Sequence, residues 1–184
     1  MSKPFDLVIR NAIVTTASDT MNCDVAVSAG IVVQLGLGLG PGLREIDAAG
    51  RVVTPGGVDA HCHLDQPMPA PVRMADDFDT GTRSAACGGT TTVIPFAVQE
   101  KGHSLRAAVD DYHRRSTGRA HVDYAFHLIV SDPTPEVLNV ELPALIREGY
   151  SSFKIYMTYD DLKLDDGQML DVLEVARQHG RHPR

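Results

Sequence analysis

The stretch RVVTPGGVDAHCHLD, residues 51–65, joins an apolar strand start to a Pro-Gly-Gly turn and two histidines separated by one residue. In an extended chain, residues i and i+2 point to the same face, so His61 and His63 can present both imidazoles to one point. Asp65 falls near the same side, and Cys62 points away from it. Two neutral imidazoles at a strand end suit Zn²⁺ or a similar ion. The alternative for an isolated His-x-His pair is a polar loop.

Strands and helices alternate after Val52. The strand-like segments are RVVTPGGVDAHCHLD, TTTVIPFAV, HVDYAFHLIVSD and SSFKIYMTY, and the helix-like segments are DDFDTGTRSAACGG, SLRAAVDDYHRRST, PEVLNVELPALIREG (two pieces separated at Pro143) and DDGQMLDVLEVARQHG. Such alternation predicts an α/β fold with a parallel sheet and helices outside it. Because a complete (β/α)8 TIM-type barrel needs about 250 residues, we predict that residues 53–184 are its first four βα units.

The preceding residues predict a separate β unit. Short segments rich in Val and Ile are broken by Gly and Asp, which is typical of strands and turns. We therefore assign residues 1–52 to part of an N-terminal β-sandwich. GLGLGPG, residues 36–42, resembles a phosphate-binding loop, but a strand-like segment follows Pro41 where that motif requires a helix. This segment is predicted to be a turn.

Composition narrows the choice of partners and compartment. The net charge is -7, and no basic run occurs before the last few residues. Nucleic acid and anionic membranes are therefore poor candidates as partners, and a small substrate fits better. The sequence contains no run of 18 apolar residues and no secretory signal pattern. Three widely spaced cysteines do not describe a disulfide framework, so we expect a cytoplasmic protein.

Several separated motifs together resemble one enzyme family. DLVIRNAIVTT, RVVTPGGVDAHCHLD, FDTGTRSAACGGTTTVIPF and SSFKIYMTY occur in this order. They resemble the cyclic amidohydrolases, specifically the D-hydantoinase and dihydropyrimidinase branch, from Phe5 to Gly180. The resemblance implies metal-dependent opening of a small cyclic amide, a hydantoin or a dihydropyrimidine, to an N-carbamoyl amino acid. It also implies a homo-oligomer, since tetramers are common in the family.

The same resemblance implies roles for individual residues. His61 and His63 would bind the more buried of two divalent ions, most simply zinc, and a carboxylated Lys154 would bridge both. Tyr159 would bind the substrate carbonyl oxygen as it becomes an oxyanion. Asp65 completes the family's HxHLD pattern and is expected to support a ligand without binding metal itself.

Lys154 can also be judged from its own chemistry. It lies between Phe153 and Ile155, which predicts a buried strand where an unpaired ammonium is costly. Carboxylation would replace that cation with an anionic ligand carrying two oxygens, a hard donor suited to a bridging position. The alternative is a lysine that points outward from the strand end.

The family takes further ligands from later strands. These are two histidines and an aspartate of the fifth, sixth and eighth strands, whereas this sequence finishes with RHPR after Gly180. We therefore expect a fragment that is inactive alone, with an unpaired sheet edge. The alternatives are an allantoinase or dihydroorotase type of cyclic amidohydrolase and a non-catalytic, amidohydrolase-like scaffold.

The remaining histidines and cysteines carry weaker expectations. We predict surface positions for one group of histidines: His103, His113, His121, His179 and His182. His127 lies within YAFHLIV, where its side chain could face the barrel interior, but we expect a hydrogen-bonded core residue. Cys87, in SAACGG, is expected to pack in the core.

Overall fold

The computed structural model describes residues 4–180, which form two compact units that divide between Pro55 and Gly56. His182 and the RHPR segment lie outside the described residues. Each unit contains its own hydrophobic core. The two units are therefore described separately.

The first unit is a five-stranded sheet. Its strands are β1 (Phe5–Thr15), β2 (Thr20–Ser28), β3 (Ile31–Gly36), β4 (Gly42–Asp47) and β5 (Val52–Val53). Hydrogen bonds order them β3-β2-β1-β4, and β5 also pairs with β1. The contacts of β2 with β1 and β3 are antiparallel, whereas β4 and β5 run parallel to β1. Residues 36–42 connect β3 directly to β4, which confirms the predicted turn.

Arg10 joins three segments of this sheet. Its guanidinium donates hydrogen bonds to Asp24 on β2 at 3.1 Å and to Glu45 on β4 at 2.7 Å. It also donates to the carbonyl oxygens of Leu39 and Gly40 in the β3–β4 turn, at 2.7 and 3.0 Å. One side chain on β1 therefore satisfies two carboxylates and two carbonyl groups.

The second unit consists of parallel strands connected by helices. Its elements are β6 (Gly57–Cys62), α1 (Phe78–Cys87), β7 (Thr90–Val98), α2 (Leu105–Ser116), β8 (Asp123–Tyr124), β9 (His127–Ile129), a π-helix (Val137–Glu141), α3 (Leu142–Arg147), β10 (Phe153–Lys154) and α4 (Asp166–His179). The strand order is β10-β9-β7-β6, with β8 also on β7, and all pairings are parallel. This arrangement confirms the predicted α/β class and the first half of a barrel.

Several strands are shorter than the apolar segments that predicted them. The first segment is interrupted: Val52–Val53 pair with β1, and β6 begins only at Gly57, after Pro55. The third divides into β8 and β9, and the strand in the fourth segment spans two residues, Phe153–Lys154. Apolar composition therefore located these strands, but the extent of backbone pairing set their ends.

Three helices, α1, α2 and α4, begin at side-chain caps. Asp77, Ser104 and Asp165 each accept hydrogen bonds from backbone N–H groups at the start of α1, α2 and α4. Such caps satisfy N–H groups that lack partners within the helix. The largest fully buried side chains of this core include Phe78, Leu105, Tyr112, Leu128, Leu142 and Ile146. None of the helices within residues 4–180 is long and apolar enough to cross a bilayer.

Candidate metal centre

The aromatic ring of Phe96, on β7, lies at the centre of the candidate site. The ring centroids of His61 and His63 lie 4.8 and 5.2 Å from that of Phe96, and the two imidazole centroids are 5.6 Å apart. The Lys154 ammonium nitrogen lies 4.3 Å from the same ring centroid. The structure therefore brings His61, His63 and Lys154 together around one buried side chain.

Parallel pairing explains this convergence. His61 lies near the end of β6, Phe96 near the end of β7 and Lys154 at the end of β10. Parallel strands end at the same edge of a sheet, and in barrels this carboxyl edge carries the active site. His63 follows the last residue of β6, so it lies in the loop that leaves the strand. The predicted shared direction of the two imidazoles agrees with these positions.

Cys62 lies between the two histidines but belongs to a different environment. Its side chain packs against the helix-covered core, opposite to His61, as strand alternation predicts. Burial, together with the nearby charge of Asp59, raises the pKa of the Cys62 thiol to about 11. The direction of its side chain places the Cys62 thiol away from the groove that His61 and Lys154 line.

Lys154 is half-buried and lies against two aromatic faces. Besides the Phe96 ring, its ammonium nitrogen lies 5.0 Å from the ring centroid of Tyr156. Both distances lie within the range of a cation–π contact. The side chain also lines an open groove of about 440 Å³ together with Ala60, His61, Phe96, His127 and Ser152. Lys154 therefore lines the same groove as His61.

The loop after β6 is held by specific polar contacts. His63 Nδ1 lies 2.6 Å from Gln66 Oε1. The Asp65 N–H donates to the carbonyl oxygen of Asp76 at 3.0 Å, and the Asp65 carboxylate lies 3.4 Å from Arg115 on α2. Asp65 therefore pairs with a helix outside the sheet. Sequence reasoning alone did not identify three residues of this site: Gln66, Arg115 and Phe96.

Tyr159 lies in the loop between β10 and α4. Its side chain is 69% exposed, and its ring packs edge to face against Tyr156 at 5.6 Å. The backbone of Tyr159 has a φ of 67°, and its carbonyl oxygen accepts hydrogen bonds from the N–H groups of Leu162 and Lys163, both at 2.8 Å. The unusual backbone angle is thus supported by a local turn that presents the ring to solvent.

His127 differs from its predicted core position. Its Nε2 lies 2.9 Å from the Ala60 carbonyl oxygen, and its Nδ1 lies 2.6 Å from Ser152 Oγ. The predicted hydrogen bonding is present, but the ring lines the groove, 5.0 Å from Phe96. The apolar neighbours of His127 suggested burial because they pack on the opposite face of the same short strand. His127 ties β9 to the backbone residue that precedes His61.

Three other residues, His113, His179 and Cys87, differ from their predictions. His113 was expected at the surface, yet it is half-buried, with Nε2 2.5 Å from the Tyr150 hydroxyl and its ring 5.1 Å from that of Phe126. Cys87 was expected in the core but is exposed, because α1 ends there with the residue on its outer side. Of the other histidines, His103 and His121 are exposed and His179 is half-buried.

The donor set determines which metal chemistry fits. Within residues 4–180, no three His, Cys, Asp or Glu side chains come together as a metal-binding group. Two imidazoles and one lysine do converge, and neutral imidazole is a ligand for zinc and similar ions. An unmodified lysine would add a positive charge beside them, whereas a carboxylated lysine would add an anionic donor. The residues present therefore fit a metal ion if Lys154 is modified.

Comparison with known proteins identifies related chains. No family model matches the sequence. The sequence is 43% identical over 180 residues to the D-hydantoinase of Streptomyces coelicolor, covering 94% of this chain and 38% of that relative. It is 42% identical over 176 residues to the D-hydantoinase of Geobacillus stearothermophilus, covering 94% of this chain and 37% of the relative.

Solved structures agree with the sequence comparison. A D-hydantoinase structure superposes with a TM-score of 0.91 at 41% identity, covering 96% of this chain and 38% of that one. The dihydropyrimidinase from Brevibacillus agri gives a TM-score of 0.88 at 41% identity, over 94% of this chain and 38% of that one. The chain thus spans a little over a third of the length of these relatives. Sequence and fold together show that it belongs to the D-hydantoinase and dihydropyrimidinase family of cyclic amidohydrolases.

Proposed function

We propose that this chain forms part of a metal-dependent hydrolase that opens the cyclic amide bond of a hydantoin or a dihydropyrimidine. The observation that carries the proposal is the convergence of His61, His63 and Lys154 around Phe96 at the carboxyl ends of parallel strands. The relatives named D-hydantoinase support the same substrate class. Water would be added across the C–N bond, so that the ring opens to an N-carbamoyl amino acid.

We further propose two divalent ions, zinc in the simplest case, held in part by His61 and His63 and bridged by carboxylated Lys154. The chemistry that such ions supply when bound is polarisation of the carbonyl group and activation of water. Reaction of the Lys154 amine with CO₂ would release a proton and form a carbamate. Its two oxygens replace a cation with an anion, which removes the repulsion between Lys154 and any cation bound by the imidazoles.

Tyr159 would act on the substrate oxygen. Its exposed hydroxyl can donate a hydrogen bond to the carbonyl oxygen as negative charge develops there. Asp65 would act indirectly, since its carboxylate lies beside Arg115 and fixes the loop that follows His63. The three free cysteines support a reducing compartment such as the cytoplasm. We also propose that the protein assembles as a homo-oligomer.

Zinc uptake tests the metal part of the proposal. We expect the chain to bind zinc more tightly in the presence of bicarbonate, and we expect His61→Ala and His63→Ala to abolish this binding. Lys154→Met should remove the dependence on bicarbonate because it has no amine to carboxylate. Lys163→Met is the matched control, since Lys163 lies on the following loop and pairs with Asp160. Bicarbonate-dependent uptake that persists in Lys154→Met would contradict a role for this lysine.

A chimaera tests the catalytic part. Residues 4–180 would replace the matching segment of the Streptomyces coelicolor D-hydantoinase, and turnover of hydantoin and dihydrouracil would be measured. We expect turnover of at least one of them, and we expect Tyr159→Phe to lower kcat by about 100-fold, the cost of removing one oxyanion donor. A folded chimaera that binds no zinc and turns over neither compound would favour a non-catalytic scaffold.

A further inference from the structure

The contact between His63 and Gln66 decides which nitrogen of this imidazole is available to a ligand. Nδ1 of His63 lies 2.6 Å from Oε1 of Gln66, three residues further along the chain. A neutral imidazole carries one N–H and one lone pair, and an amide oxygen only accepts hydrogen bonds. With Oε1 of Gln66 in this position, Nδ1 carries the proton and Nε2 keeps the lone pair.

This assignment matches what a metal-binding histidine requires. Histidines that bind metals donate their other ring N–H to a carboxylate, carbonyl or water, which fixes both the tautomer and the ring orientation. The His63 ring is also held by stacking on Phe96, with an angle of 26° between the planes. Gln66 and Phe96 together define the rotation and the protonation pattern of the ring.

Gln66 is itself held in place by the turn that contains it. Asp65, the preceding residue, has a φ of 48°, a left-handed conformation that costs energy for a non-glycine residue. Three contacts stabilise it: the Asp65 N–H donates to Asp76 at 3.0 Å, and Arg115 donates to the Asp65 carbonyl oxygen at 3.3 Å and lies 3.4 Å from its carboxylate. Arg119 lies 3.9 Å from the same carboxylate.

Helix α2 and the turn that follows it supply this support. Arg115 also donates to Asp111 on the same helix at 2.6 Å, and Arg119 pairs with Asp77, the residue that caps α1. Partial burial acts to raise the pKa of Asp111, but the hydrogen bonds and positive charges of Arg115 and Arg114 together hold it below its usual value. The turn that directs Gln66 toward His63 is therefore connected to two helices.

We propose that Gln66 is a positioning residue that holds His63 in the Nδ1–H tautomer and so reserves Nε2 as the ligand atom. Asp65, with Arg115, fixes the turn that makes this contact possible. The proposal rests on the proposed function, because it assumes that His63 binds a metal ion. The opposite orientation of the Gln66 amide would place an N–H donor against Nδ1 and reverse the tautomer, so the tautomer itself is the quantity to measure.

The experiment uses nitrogen-15 NMR of the metal-free chain at about pH 8.5, two units above the ordinary histidine pKa. His63→Ala identifies the His63 ring signals. We expect His63 to be an Nδ1–H tautomer in the unchanged chain. Gln66→Glu should preserve this tautomer, because a carboxylate also accepts the N–H, whereas Gln66→Leu should shift His63 toward the Nε2–H form that predominates in free histidine.

A matched variant and a second readout separate positioning from folding. Met68→Leu changes an exposed side chain of the same loop and should leave the His63 tautomer unaltered. Gln66→Leu should weaken Co²⁺ binding about tenfold, the usual cost of losing such a supporting contact, and Gln66→Glu should not.

An Nε2–H tautomer in the unchanged chain would overturn the proposal, and so would a Gln66→Leu chain that retains the Nδ1–H form. Reversal of the tautomer in Gln66→Glu would also overturn it, because the amide would then have acted as a donor. These results leave the proposed function standing, since that depends on zinc uptake and turnover, which the tautomer measurement does not use.

Discussion

At the residue scale, neighbouring side chains on one strand end have different chemistry because the strand alternates. His61 reaches the open groove, whereas Cys62 packs against the helix-covered core. The sequence predicted this opposition correctly, since it depends only on the two-residue period of a strand. It did not predict Phe96 as the centre of the site, because an aromatic residue in an apolar strand is typical of ordinary core packing.

We predict that Cys62 reacts slowly with alkylating reagents. Its pKa of about 11 leaves little thiolate at neutral pH, and its side chain is half-buried, whereas Cys87 is exposed at the end of α1. Treatment with iodoacetamide at about pH 8, followed by mass spectrometry of peptides, should show modification of Cys87 well before Cys62. Cys87→Ser should remove the fast reaction and leave the slow one. Equal rates at the two positions would contradict the burial of Cys62.

At the element scale, the sequence predicted elements best where local signals are complete. TTTVIPFAV coincides with β7, and Asp165 begins α4 as its cap. The strands β9 and β10 are much shorter than their apolar segments. Their ends depend on pairing with a neighbour that is distant in sequence, and apolar composition contains no information about where such pairing stops. The placement of His127 was mistaken for a different reason: its apolar neighbours pack on the opposite face of β9.

We predict that the cap of α4 contributes measurably to stability. The Asp165 carboxylate accepts a hydrogen bond from the Gln168 N–H at 2.8 Å, and the Gln168 side chain accepts one from the Asp165 N–H at 3.0 Å. Asp165→Ala should lower the free energy of unfolding by about 1 kcal/mol, because an N–H group of the first turn loses its partner. Chemical denaturation measures the effect. Asp171→Ala, on the exposed side of the same helix, is the control, and an equal loss in both variants would count against the cap.

At the scale of the whole molecule, the two units rely on different interactions. The core of residues 56–180 contains large side chains such as Phe78, Tyr112 and Leu142. The core of the first unit consists of smaller residues, Ala12, Val14, Cys23, Val25 and Ala48. Small cores bury less apolar surface, so polar contacts such as those of Arg10 contribute a larger share of stability there. The sequence predicted the β character of this unit, but not that Arg10 would join its strands.

We predict that acid weakens the first unit through Glu45. Hydrogen bonds from Arg10 and then from the Gly42 N–H lower the pKa of Glu45 from 4.5 to about 2. A carboxyl group whose pKa is lower in the folded chain than in the unfolded chain stabilises the folded state. This stabilisation is complete at pH values above the unfolded pKa and is lost as pH falls from about 4.5 to about 2. Arg10→Met should therefore lower the urea concentration at which β1, β2 and β4 unfold at neutral pH. The gap in this urea concentration between Arg10→Met and the unchanged chain should shrink as pH falls from about 4.5 to about 2.

Pulsed hydrogen exchange measures this difference, because it follows residues 4–55 and 56–180 separately after equilibration at each pH. Arg44→Met changes an exposed neighbour of Glu45 on β4 and should show no difference that depends on pH in this window. A gap between Arg10→Met and the unchanged chain that stays constant from neutral pH to pH 2 would exclude Glu45 as its origin. Because Arg10 and Glu45 both lie in the first unit, the unfolding of residues 56–180 should be the same in both chains at every pH.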